Sequence, residues 1–506
     1  MALYDIIGGL TVRRLITGDE MREIDNYTIN ELGTNSFVLM ERAAMSVCRH
    51  ITENDKHYLA VCGIGNNGGD AIAVARILCS KGINADILLC ENDKEKGSEG
   101  FKYQLKQAKN FGVNIYYEVD IKKYDYIIDG IFGIGLAREV QGRYKNIIDK
   151  INESEGKVIA VDCPSGVDCN TGRILGTAIN ANVTVTFGAI KKGLVLYPAA
   201  EYAGKVIVED IGFPDVAFDK VLNIKNYMTD AKDIELLPKR YDYSNKGSYG
   251  KVAVIAGGLN MCGAAVLAAK ACYAIGAGLV KVITCEENRI IIQNQVPEAI
   301  LATYNEDIAH IRTELEWADV VLIGPGLSTN DVAKGLVKMA LESNKAMVMD
   351  ADAINILSYN RELKNKLKSK NIIITPHLGE MSRLIGKSID DIAFNLTECC
   401  RSFAKEYNIV CVLKDTRTIV SNGENYVVNA FGNSGMAKAG SGDVLAGIIT
   451  GILAQKNNVY DSAILGVYLH SMAGDSVAIK KGKYSMSPMD MIDEISNVIS
   501  HVEANL

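Results

Sequence analysis

Short runs of β-branched and apolar residues alternate with helical segments along almost the whole chain, and several runs end in a glycine-rich or polar loop. In the amino-terminal half these runs cover residues 58–62, 85–90, 126–129, 158–162 and 183–187. In the carboxyl-terminal half they cover residues 251–256, 280–284, 320–324, 346–350, 372–375 and 410–414. Strands separated by helices pair in parallel, because the helix carries the chain back to the start of the next strand. The pattern therefore predicts an α/β fold with parallel sheets in both halves.

The length of 506 residues predicts more than one domain, since single hydrophobic cores rarely grow this large. The strand and helix pattern weakens between residues 213 and 249, where Pro214, Pro238 and the polar run 241–246 separate two strongly patterned regions. We therefore predict a boundary near residue 222, with one domain over residues 1–222 and another over residues 223–506. The halves show no repeat of each other, so two different folds are expected.

The composition excludes some classes of partner. A net charge of −7 gives no general attraction to nucleic acid or to anionic membranes. Residues 261–280 have the length of a membrane span. However, Lys270 lies in their middle and two glycines interrupt their end, which favours a buried helix that enters a strand. Neither a nucleic acid nor a membrane is expected as a partner.

The amino terminus and the cysteines bear on the cellular compartment. Arg13 and Arg14 follow the short apolar run 6–10 rather than precede it, so no signal peptide is expected. The twelve cysteines include no Cys-x-x-Cys pair, and most lie in apolar runs, where a free thiol behaves as a small hydrophobic group. Neither zinc nor a disulfide framework is expected, and a cytoplasmic protein fits best. A homo-oligomer is expected, and the sequence does not indicate its number of subunits.

The predicted strand 58–62 runs into the loop Gly63-Ile-Gly-Asn-Asn-Gly-Gly-Asp70, and a helical segment follows. Glycines let the backbone approach a ligand closely, and the first amides of a helix bind anions. The alternative is a plain connector, but a connector rarely needs four glycines, two asparagines and an aspartate in eight residues. The loop therefore favours a dinucleotide or phosphate site.

Two later strands end in aspartates. Residues 126–129 end in Asp129 and lead into a second glycine loop that closes at Arg138, and residues 158–162 end in Asp162 before a Cys-Pro-Ser-Gly turn. Parallel strand ends meet at one rim of a sheet, so these aspartates can converge with Asn67 and Ser165 and offer oxygen ligands to a hard cation. Taken alone, each aspartate could equally be a turn or helix-cap residue.

In this order, the segments Asn66-Asn-Gly-Gly-Asp70, Asp129-Gly-Ile-Phe-Gly-Ile-Gly-Leu136 and Val161-Asp-Cys-Pro-Ser-Gly166 resemble the NAD(P)H-hydrate epimerase family over residues 10–215. The resemblance implies a Rossmann-like, three-layer domain in which Asp162 is the catalytic acid or base. It implies a potassium ion near Asn67, Asp129 and Ser165. It also implies the residues that bind the hydrated cofactor: Asn66, Asn67, Gly68, Gly69, Asp70, Gly133, Ile134, Gly135, Leu136, Ala137, Arg138, Glu139 and Asp162. One departure is Ala71, where a third glycine is common and where the extra methyl group crowds the turn.

The most specific motif of the carboxyl-terminal half is Gly435-Met-Ala-Lys-Ala-Gly-Ser-Gly-Asp443, which leads into a helical run. A glycine-rich turn that opens a helix places backbone amides and the positive end of the helix dipole against a phosphate. Asp443 would face the same space from the first turn, where it could deprotonate or orient a hydroxyl group. The alternative is an aspartate that only caps its helix, and the small residues packed before it argue against that.

The Gly-Ser-Gly-Asp segment resembles the anion-hole and catalytic-aspartate signature of ribokinase-like folds. Together with Gly324-Pro-Gly-Leu-Ser328, Asp350-Ala-Asp-Ala-Ile-Asn355, Thr375-Pro-His-Leu-Gly-Glu380 and the segment that begins at Lys414, it makes residues 230–500 similar to the NAD(P)H-hydrate dehydratase family. The resemblance implies that the hydrated nucleotide contacts Ala264, Ala265, Gly326, His377 and Asp443. It implies an adenine nucleotide, ADP in the fused form, with Mg²⁺ on its phosphates and these contacts: Lys414, Asp415, Thr416, Arg417, Thr418 and Gly442.

Several of these residues have a plainer interpretation. Gly326 could be only a turn residue and His377 only a helix cap. Asp415 stands where glycine is usual, and Lys438-Ala439 replaces the commoner Thr-Gly. A carboxylate near phosphates is unfavourable unless a cation faces it, and the extra lysine could supply that cation.

The sequence therefore predicts the repair of hydrated NADH and NADPH: residues 1–222 interconvert the R and S hydrates, and residues 223–506 use ADP to dehydrate the S hydrate. One alternative is a ribokinase-like kinase for a small molecule such as a vitamin precursor, with a regulatory Rossmann-like domain. That kinase would not explain the Asn-Asn-Gly-Gly-Asp loop beside Asp129 and Asp162. A second alternative is an amino-terminal scaffold without activity, which would need neither Asp70 nor Asp162.

Overall fold

The computed structural model describes residues 14–222, 226–367 and 371–503. The chain divides into two compact units, Met1–Asn226 and Tyr227–Leu506. The boundary predicted near residue 222 lies beside residues 223–225, which are outside the described part, and the prediction about a signal peptide falls on residues 1–13, which are also outside it.

In the described part of the first unit, short strands alternate with helices. The strands are β1 (Leu15–Ile16), β2 (Tyr58–Cys62), β3 (Ala85–Leu89), β4 (Ile115–Tyr116), β5 (Tyr126–Gly130), β6 (Lys157–Val161), β7 (Val183–Phe187), β8 (Ile190–Lys191) and β9 (Lys205–Glu209). The helices are α1 (Gly18–Asn30), α2 (Ser36–Arg49), α3 (Asn66–Ser80), α4 (Glu99–Asn110), α5 (Gly142–Asn152), α6 (Ala199–Tyr202) and α7 (Asp215–Val221).

The main sheet of this unit is parallel, with the strand order β4-β3-β2-β5-β6-β7-β9 in the described residues. All five residues of β2 are buried, as expected for a central strand covered by helices on both faces. The strand order runs outward in opposite directions from β2 and β5, so the loops after these two strands open a crevice at the rim. The parallel α/β fold predicted for this half is confirmed.

In the described part of the second unit, the strands are β10 (Tyr227–Met228), β11 (Lys251–Ile255), β12 (Leu279–Cys285), β13 (Ile300–Tyr304), β14 (Val320–Ile323), β15 (Ala346–Met349), β16 (Ile372–Ile374), β17 (Val410–Leu413), β18 (Ile419–Ser421) and β19 (Tyr426–Val428). The helices are α8 (Cys262–Ala274), α9 (Arg289–Gln295), α10 (Ile311–Glu316), α11 (Asp331–Glu342), α12 (Asp352–Tyr359), α13 (Arg361–Asn365), α14 (Leu378–Ile385), α15 (Ile389–Phe394), α16 (Leu396–Tyr407), α17 (Ser441–Ala454), α18 (Val459–Lys481) and α19 (Pro488–Glu503).

These strands form one sheet with the order β10-β19-β18-β17-β16-β15-β14-β11-β12-β13. The pairings are parallel except that β18 runs antiparallel to both β17 and β19. The strand order changes direction between β11 and β14, and this places a second crevice at their carboxyl ends. The parallel architecture predicted for this half is confirmed, with an antiparallel hairpin that the sequence pattern did not predict.

The apolar segment 261–280 forms α8 followed by the start of β12, as predicted. Over the three described ranges, no helix combines the length and the apolar character needed to cross a membrane. Instead α8 is buried against α17, and the two helix backbones approach closely because α17 carries glycine at the contact. A Cβ at Gly447 would overlap the carbonyl oxygen of Ala268 and lie 2.7 Å from the Cβ of Ala271. This packing fixes where the amino-terminal end of α17 lies.

We expect Gly447→Val to lower the free energy of unfolding by about 1–3 kcal/mol, because the added side chain has no space between the two helix backbones. The midpoint of thermal unfolding of the full chain measures this change. Gly263→Ala is the matched control, since a Cβ at Gly263 meets open space and alanine favours the helix. An unchanged midpoint for Gly447→Val would contradict the packing described here.

Candidate active sites

A cavity of about 1010 Å³ lies in the first unit at the carboxyl ends of its central strands. It has the size of pockets that bind small molecules and cofactors. Most of the residues predicted to bind the hydrated cofactor line it, namely Asn66, Asn67, Asp70, Gly133, Ile134, Gly135, Leu136, Ala137, Arg138 and Asp162. Of the other predicted residues, Gly68 and Gly69 are buried behind it and Glu139 is exposed.

The turn between β2 and α3 depends on glycine. A Cβ at Gly68 would overlap the carbonyl oxygen of Gly63, so no larger residue fits this turn. Gly65 precedes α3 and supplies no side-chain cap, which leaves the first amides of the helix available to an anion. The methyl group of Ala71, which departs from the family pattern, lies where a Cβ at Gly130 would be, so glycine at 130 makes room for it.

Asp162 follows β6 with a left-handed backbone, at φ of 65°. Such a conformation is strained for a residue with a side chain, and it is found most often at functional sites. The carboxylate accepts a hydrogen bond of 2.6 Å from the Nζ of Lys191, which lies in β8 and is fully buried. Lys191 was not predicted from the sequence. The signal for it was a pair of lysines, at 191 and 192, between two apolar stretches just after a strand.

Three further acidic residues line the same cavity, namely Asp25, Asp70 and Glu99. Burial raises the pKa of Asp70 well above its usual range, and the charges of Asp162 and Asp25 raise it further. Burial and the charge of Asp162 also raise the pKa of Asp25, although Lys191 opposes them. The sequence analysis did not identify Asp25, which adjoins the buried Met21, Ile24 and Thr28 on one face of α1.

The residues of the predicted potassium site lie together beneath the cavity. Asp129 is fully buried and accepts hydrogen bonds from the N–H of Ser165 at 2.7 Å and from its Oγ at 2.6 Å. The amide nitrogen of Asn67 donates to the carbonyl oxygen of Phe132 at 2.9 Å, and the Oγ of Ser165 lies 3.2 Å from that same oxygen. Burial raises the pKa of Asp129 to about 6, because the hydrogen bonds from its neutral donors offset the cost of burying the charge only in part.

The turn after Asp162 brings two cysteines together, and the sulfur atoms of Cys163 and Cys169 are in contact. The two residues are six positions apart in a loop that folds back on itself, because Gly172 donates its N–H to the carbonyl oxygen of Asp168. Spacing along the chain does not reveal such a fold-back.

In the second unit, the loops after β11 and β14 are hydrogen-bonded to each other at the crevice. The N–H of Gly257 donates to the carbonyl oxygen of Pro325 at 2.9 Å. Gly326 has a left-handed backbone, and a Cβ there would lie 3.0 Å from that of Ala264. Gly326 and Ala264 therefore lie side by side, and their contact with the hydrated nucleotide stays a prediction. Ala265 is fully buried behind them, against Gly257.

The predicted anion turn opens α17. Gly440, in the left-handed region at φ of 95°, precedes the helix and provides no side-chain cap. The N–H of Ser441 donates to the carbonyl oxygen of Lys438 at 3.2 Å, and the next amides, those of Gly442 and Asp443, are the ones that face an anion. Asp443 lies in the first turn. Burial raises the pKa of Asp443 to about 7, the charge of Asp350 adds to the rise, and Lys414 partly opposes it. A carboxyl group with this pKa can exchange a proton near neutral pH.

Lys414 connects the strand ends to this turn. Its Nζ donates to the Oδ1 of Asp350 at 2.7 Å and would lie 3.3 Å from a Cβ at Gly442. Burial alone would lower the pKa of Lys414, but the charges of Asp350 and Glu380 outweigh burial and raise it, so the amine carries its charge. Asp350 belongs to a motif noted in the sequence, but no role was predicted for it. The structure shows that Asp350 positions Lys414.

His377 has the helix-cap geometry that the sequence analysis gave as its plainer interpretation. Its Nδ1 accepts from the N–H of Gly379 at 3.0 Å, and its own N–H donates to Glu380 at 2.8 Å. Burial lowers the pKa of His377, and the nearby Lys414 lowers it further. His377 also pairs through its backbone with Lys414, which places it at the same rim. A contact of His377 with a ligand stays a prediction.

The predicted nucleotide segment from Lys414 to Thr418 forms the turn between β17 and β18 and is largely exposed beyond Lys414. The Nη1 of Arg417 donates to the carbonyl oxygen of Ala430 at 2.8 Å. Lys438 does not serve as the counter-charge proposed for Asp415. Its Nζ donates to the carbonyl oxygens of Tyr484, at 2.7 Å, and of Met486.

These two centres have counterparts in known proteins. The solved structure of a ribokinase-like superfamily protein from Enterococcus faecalis matches 55% of this chain and 96% of that chain, at 30% sequence identity and a TM-score of 0.50. The chain therefore contains a ribokinase-like enzyme domain, as predicted. Residues 252–497 match the family model described as NAD(P)H-hydrate dehydratase, and residues 36–193 match the model described as YjeF-related protein N-terminus.

Full-length relatives carry both parts. A bifunctional NAD(P)H-hydrate repair enzyme of Coxiella burnetii is 33% identical over 95% of this chain and 98% of its own length. The enzyme of the same name from Moorella thermoacetica is 34% identical over 97% of both chains. The chain belongs to the family of bifunctional NAD(P)H-hydrate repair enzymes.

We expect Asp443→Asn to raise the thermal midpoint at pH 8. The folded-state pKa of Asp443 is raised from 3.8 to about 7. The folded protein therefore binds the proton more tightly than the unfolded chain, and the ionised carboxylate costs stability that grows as the pH rises through this range. The gain from asparagine should be largest at pH 8 and smaller at pH 5.

The control is Asp493→Asn on the exposed side of α19, which makes the same change of charge outside the site. It should shift the midpoint little at either pH. A gain for Asp443→Asn that is equal at both pH values, or a loss at pH 8, would show that burial and the charge of Asp350 do not destabilise the ionised carboxylate of Asp443.

Proposed function

We infer that this chain repairs hydrated NADH and NADPH through two activities. The first unit interconverts the R and S hydrates, and the second unit dehydrates the S hydrate to NAD(P)H at the expense of ADP. The observation that carries the inference is the position of Asp443, a carboxyl group with a pKa near neutral in the first turn of a helix whose free amides adjoin Lys414. Family membership of both units supports it.

The epimerase reaction inverts the ring carbon that carries a hydroxyl group next to nitrogen. It requires a group that moves protons within hydrogen-bond reach of that hydroxyl. Asp162 lines the cavity and is held in one orientation by Lys191, so it is the residue we assign to this role. The glycine loops Asn66–Asp70 and Gly133–Glu139 would bind the rest of the dinucleotide, with the first amides of α3 toward a phosphate.

A potassium ion fits the cluster beneath this cavity. In the described part of the chain, the buried carboxylate of Asp129 has no cationic side chain among its hydrogen-bond donors. The Oγ of Ser165 and the side-chain amide of Asn67 add oxygen atoms of the kind that bind hard cations. Bound there, K⁺ would neutralise Asp129 and stabilise the turn that carries Ser165 and the neighbouring Phe132. We therefore propose K⁺ as the cofactor of the first unit.

The dehydratase reaction proceeds by phosphoryl transfer. Asp443 takes the proton of the ring hydroxyl as the hydroxyl oxygen attacks the terminal phosphoryl group of the nucleotide. The amides at the start of α17 and the Nζ of Lys414 stabilise the charge that develops on the phosphate. The phosphorylated oxygen then leaves as phosphate, and loss of a ring proton restores the dihydronicotinamide. With ADP as donor, the other product is AMP.

The positions of the residues at the rim of the second unit suggest how the two ligands would be bound. The hydrated ring would lie against Ala264, Gly326 and His377, and the adenine nucleotide would lie along the turn from Lys414 to Thr418. Magnesium would be held by the phosphate oxygens of the nucleotide, and the carboxylates available at this rim are those of Asp350 and Asp352. Bound Mg²⁺ would neutralise phosphate charge.

Fusion of the two units allows both epimers to be used, because the dehydratase consumes one and the epimerase resupplies it. NADH and ADP occur together inside cells, and we propose a cytoplasmic enzyme on this ground. That it acts as a homo-oligomer stays a prediction from the sequence.

The test incubates an equal mixture of the two NADH hydrates with the protein, ADP and Mg²⁺, and follows the absorbance of the restored dihydronicotinamide. The wild-type chain should recover both epimers. Asp162→Asn should recover only the S half at the normal rate, because an amide cannot take up the proton. Asp443→Asn should lower the rate for both epimers by about 10²–10⁴-fold.

A phosphorylated hydrate that accumulates without elimination would favour the kinase alternative. Full recovery by Asp162→Asn, above the rate of spontaneous interconversion, would remove Asp162 from the epimerase mechanism and revive the scaffold alternative.

A further inference from the structure

The cavity of the first unit holds more ionisable groups than a mechanism with Asp162 alone uses. Lys191 is the buried cation among them. Its Nζ donates to the Oδ1 of Asp162 at 2.6 Å, to the Oγ1 of Thr186 at 3.0 Å and to the carbonyl oxygen of Phe187 at 2.7 Å. An ammonium group has three donors, so all of them are used. Lys191 therefore neutralises one carboxylate, that of Asp162.

The hydrogen bonds to Asp162 all reach one of its two oxygen atoms. The Oδ1 accepts from Lys191 at 2.6 Å, from the Oγ1 of Thr186 at 3.0 Å and from the N–H of Phe187 at 3.4 Å. Among the described residues no donor reaches the Oδ2. Because Asp162 lines the cavity, the Oδ2 is the atom that remains for a substrate.

Asp70 has the opposite environment. Its carboxyl group lines the same cavity, and within the described ranges no side chain or backbone group bonds to it. Burial and the charges of Asp162 and Asp25 raise the pKa of Asp70, and Lys191 does not offset this effect as it does for Asp25. The cavity therefore contains the carboxyl group of Asp162, which is paired with an ammonium group, and that of Asp70, whose raised pKa favours its neutral, proton-donating form.

We propose that Asp70 is a second catalytic residue of the epimerase centre, a proton carrier that acts on one face of the substrate ring while Asp162 acts on the other. The two residues project into the cavity from different elements, Asp70 from α3 and Asp162 from the end of β6. This inference rests on the epimerase function proposed above and adds a residue to it.

The proton balance of the reaction needs one acid and one base. The protonated Asp70 gives its proton to the ring hydroxyl, the C–O bond breaks with both electrons on oxygen, and water leaves. The adjacent ring nitrogen shares its lone pair with the carbon. A water molecule then adds to the opposite face of that carbon, and the Oδ2 of Asp162 accepts its proton. The reverse reaction starts from protonated Asp162 and returns the proton to Asp70.

This mechanism predicts a distinct pattern for single variants. Without Asp70, protonated Asp162 can still remove the hydroxyl of the epimer that faces it, and water returns on the same face. Without Asp162, Asp70 can do the same for the other epimer. Each variant should therefore exchange the oxygen of one epimer without inversion, and the two variants should act on opposite epimers.

The experiment uses the full-length chain and each NADH hydrate separately, labelled with ¹⁸O in the ring hydroxyl, and subtracts the rates without protein. In the wild type, loss of label should accompany inversion. In Asp70→Asn and in Asp162→Asn, inversion should fall by at least about 100-fold. Loss of label with retention should persist for one epimer in the first variant and for the other epimer in the second.

Inversion by Asp70→Asn at the wild-type rate, or equal label exchange from both epimers, would overturn the proposal, and so would loss of all exchange in a folded variant. Folding of the first unit is monitored by its thermal unfolding and circular dichroism, and the dehydratase activity of the second unit should be unchanged. Asp55→Asn, in the exposed loop before β2, is the control for removal of one negative charge. A wild-type chain that interconverts no epimers would instead refute the proposed function itself.

Discussion

The ammonium group of Lys414 lies between the carboxylate of Asp350 and the amino-terminal end of α17, and the second centre depends on this position. Asp350 is buried at the end of β15 and also accepts a hydrogen bond of 2.6 Å from the Oγ1 of Thr375. A buried carboxylate thus fixes the cation beside amides that already favour an anion. Asp443, in the same helix turn, is left without a cation of its own and keeps its proton near neutral pH.

The first centre uses the same physical arrangement for a different reaction. A strand-end aspartate, Asp162, again pairs with a buried lysine, Lys191, while a second carboxyl group in the same space, that of Asp70, has no such partner. In both centres one ammonium group stabilises one carboxylate. The neighbouring carboxyl group, that of Asp443 in one centre and of Asp70 in the other, has a raised pKa. In the second centre the paired carboxylate of Asp350 positions a lysine, whereas in the first centre we assign proton transfer to both the paired Asp162 and the unpaired Asp70.

The sequence predicted the strands and the loops of both centres well, because buried parallel strands are continuous apolar runs with polar ends. The strand predicted over residues 183–187 coincides with β7. The short strands β18 and β19 were not predicted, because three residues give no periodicity.

The partners within each site were harder to predict. Lys191 and Asp25 lie far in sequence from Asp162, and only the parallel topology brings their elements to one cavity. Lys438 appeared free to balance Asp415, but the loop before α19 supplies carbonyl oxygens that bind its amine. The predictions for ligand contacts, including those of His377 and Asp415, rest on motif resemblance, since side-chain direction does not follow from spacing along the chain.

A crystal structure of the full chain with ADP, Mg²⁺ and a hydrated nucleotide analogue that lacks the reactive hydroxyl tests whether the start of α17 binds phosphate. We expect a terminal phosphate oxygen within about 3.5 Å of both the N–H of Gly442 and the Nζ of Lys414, with the carboxylate of Asp443 facing the nicotinamide ring. A nucleotide whose phosphates lie away from the start of α17, or an Asp443 shielded from both ligands, would contradict it.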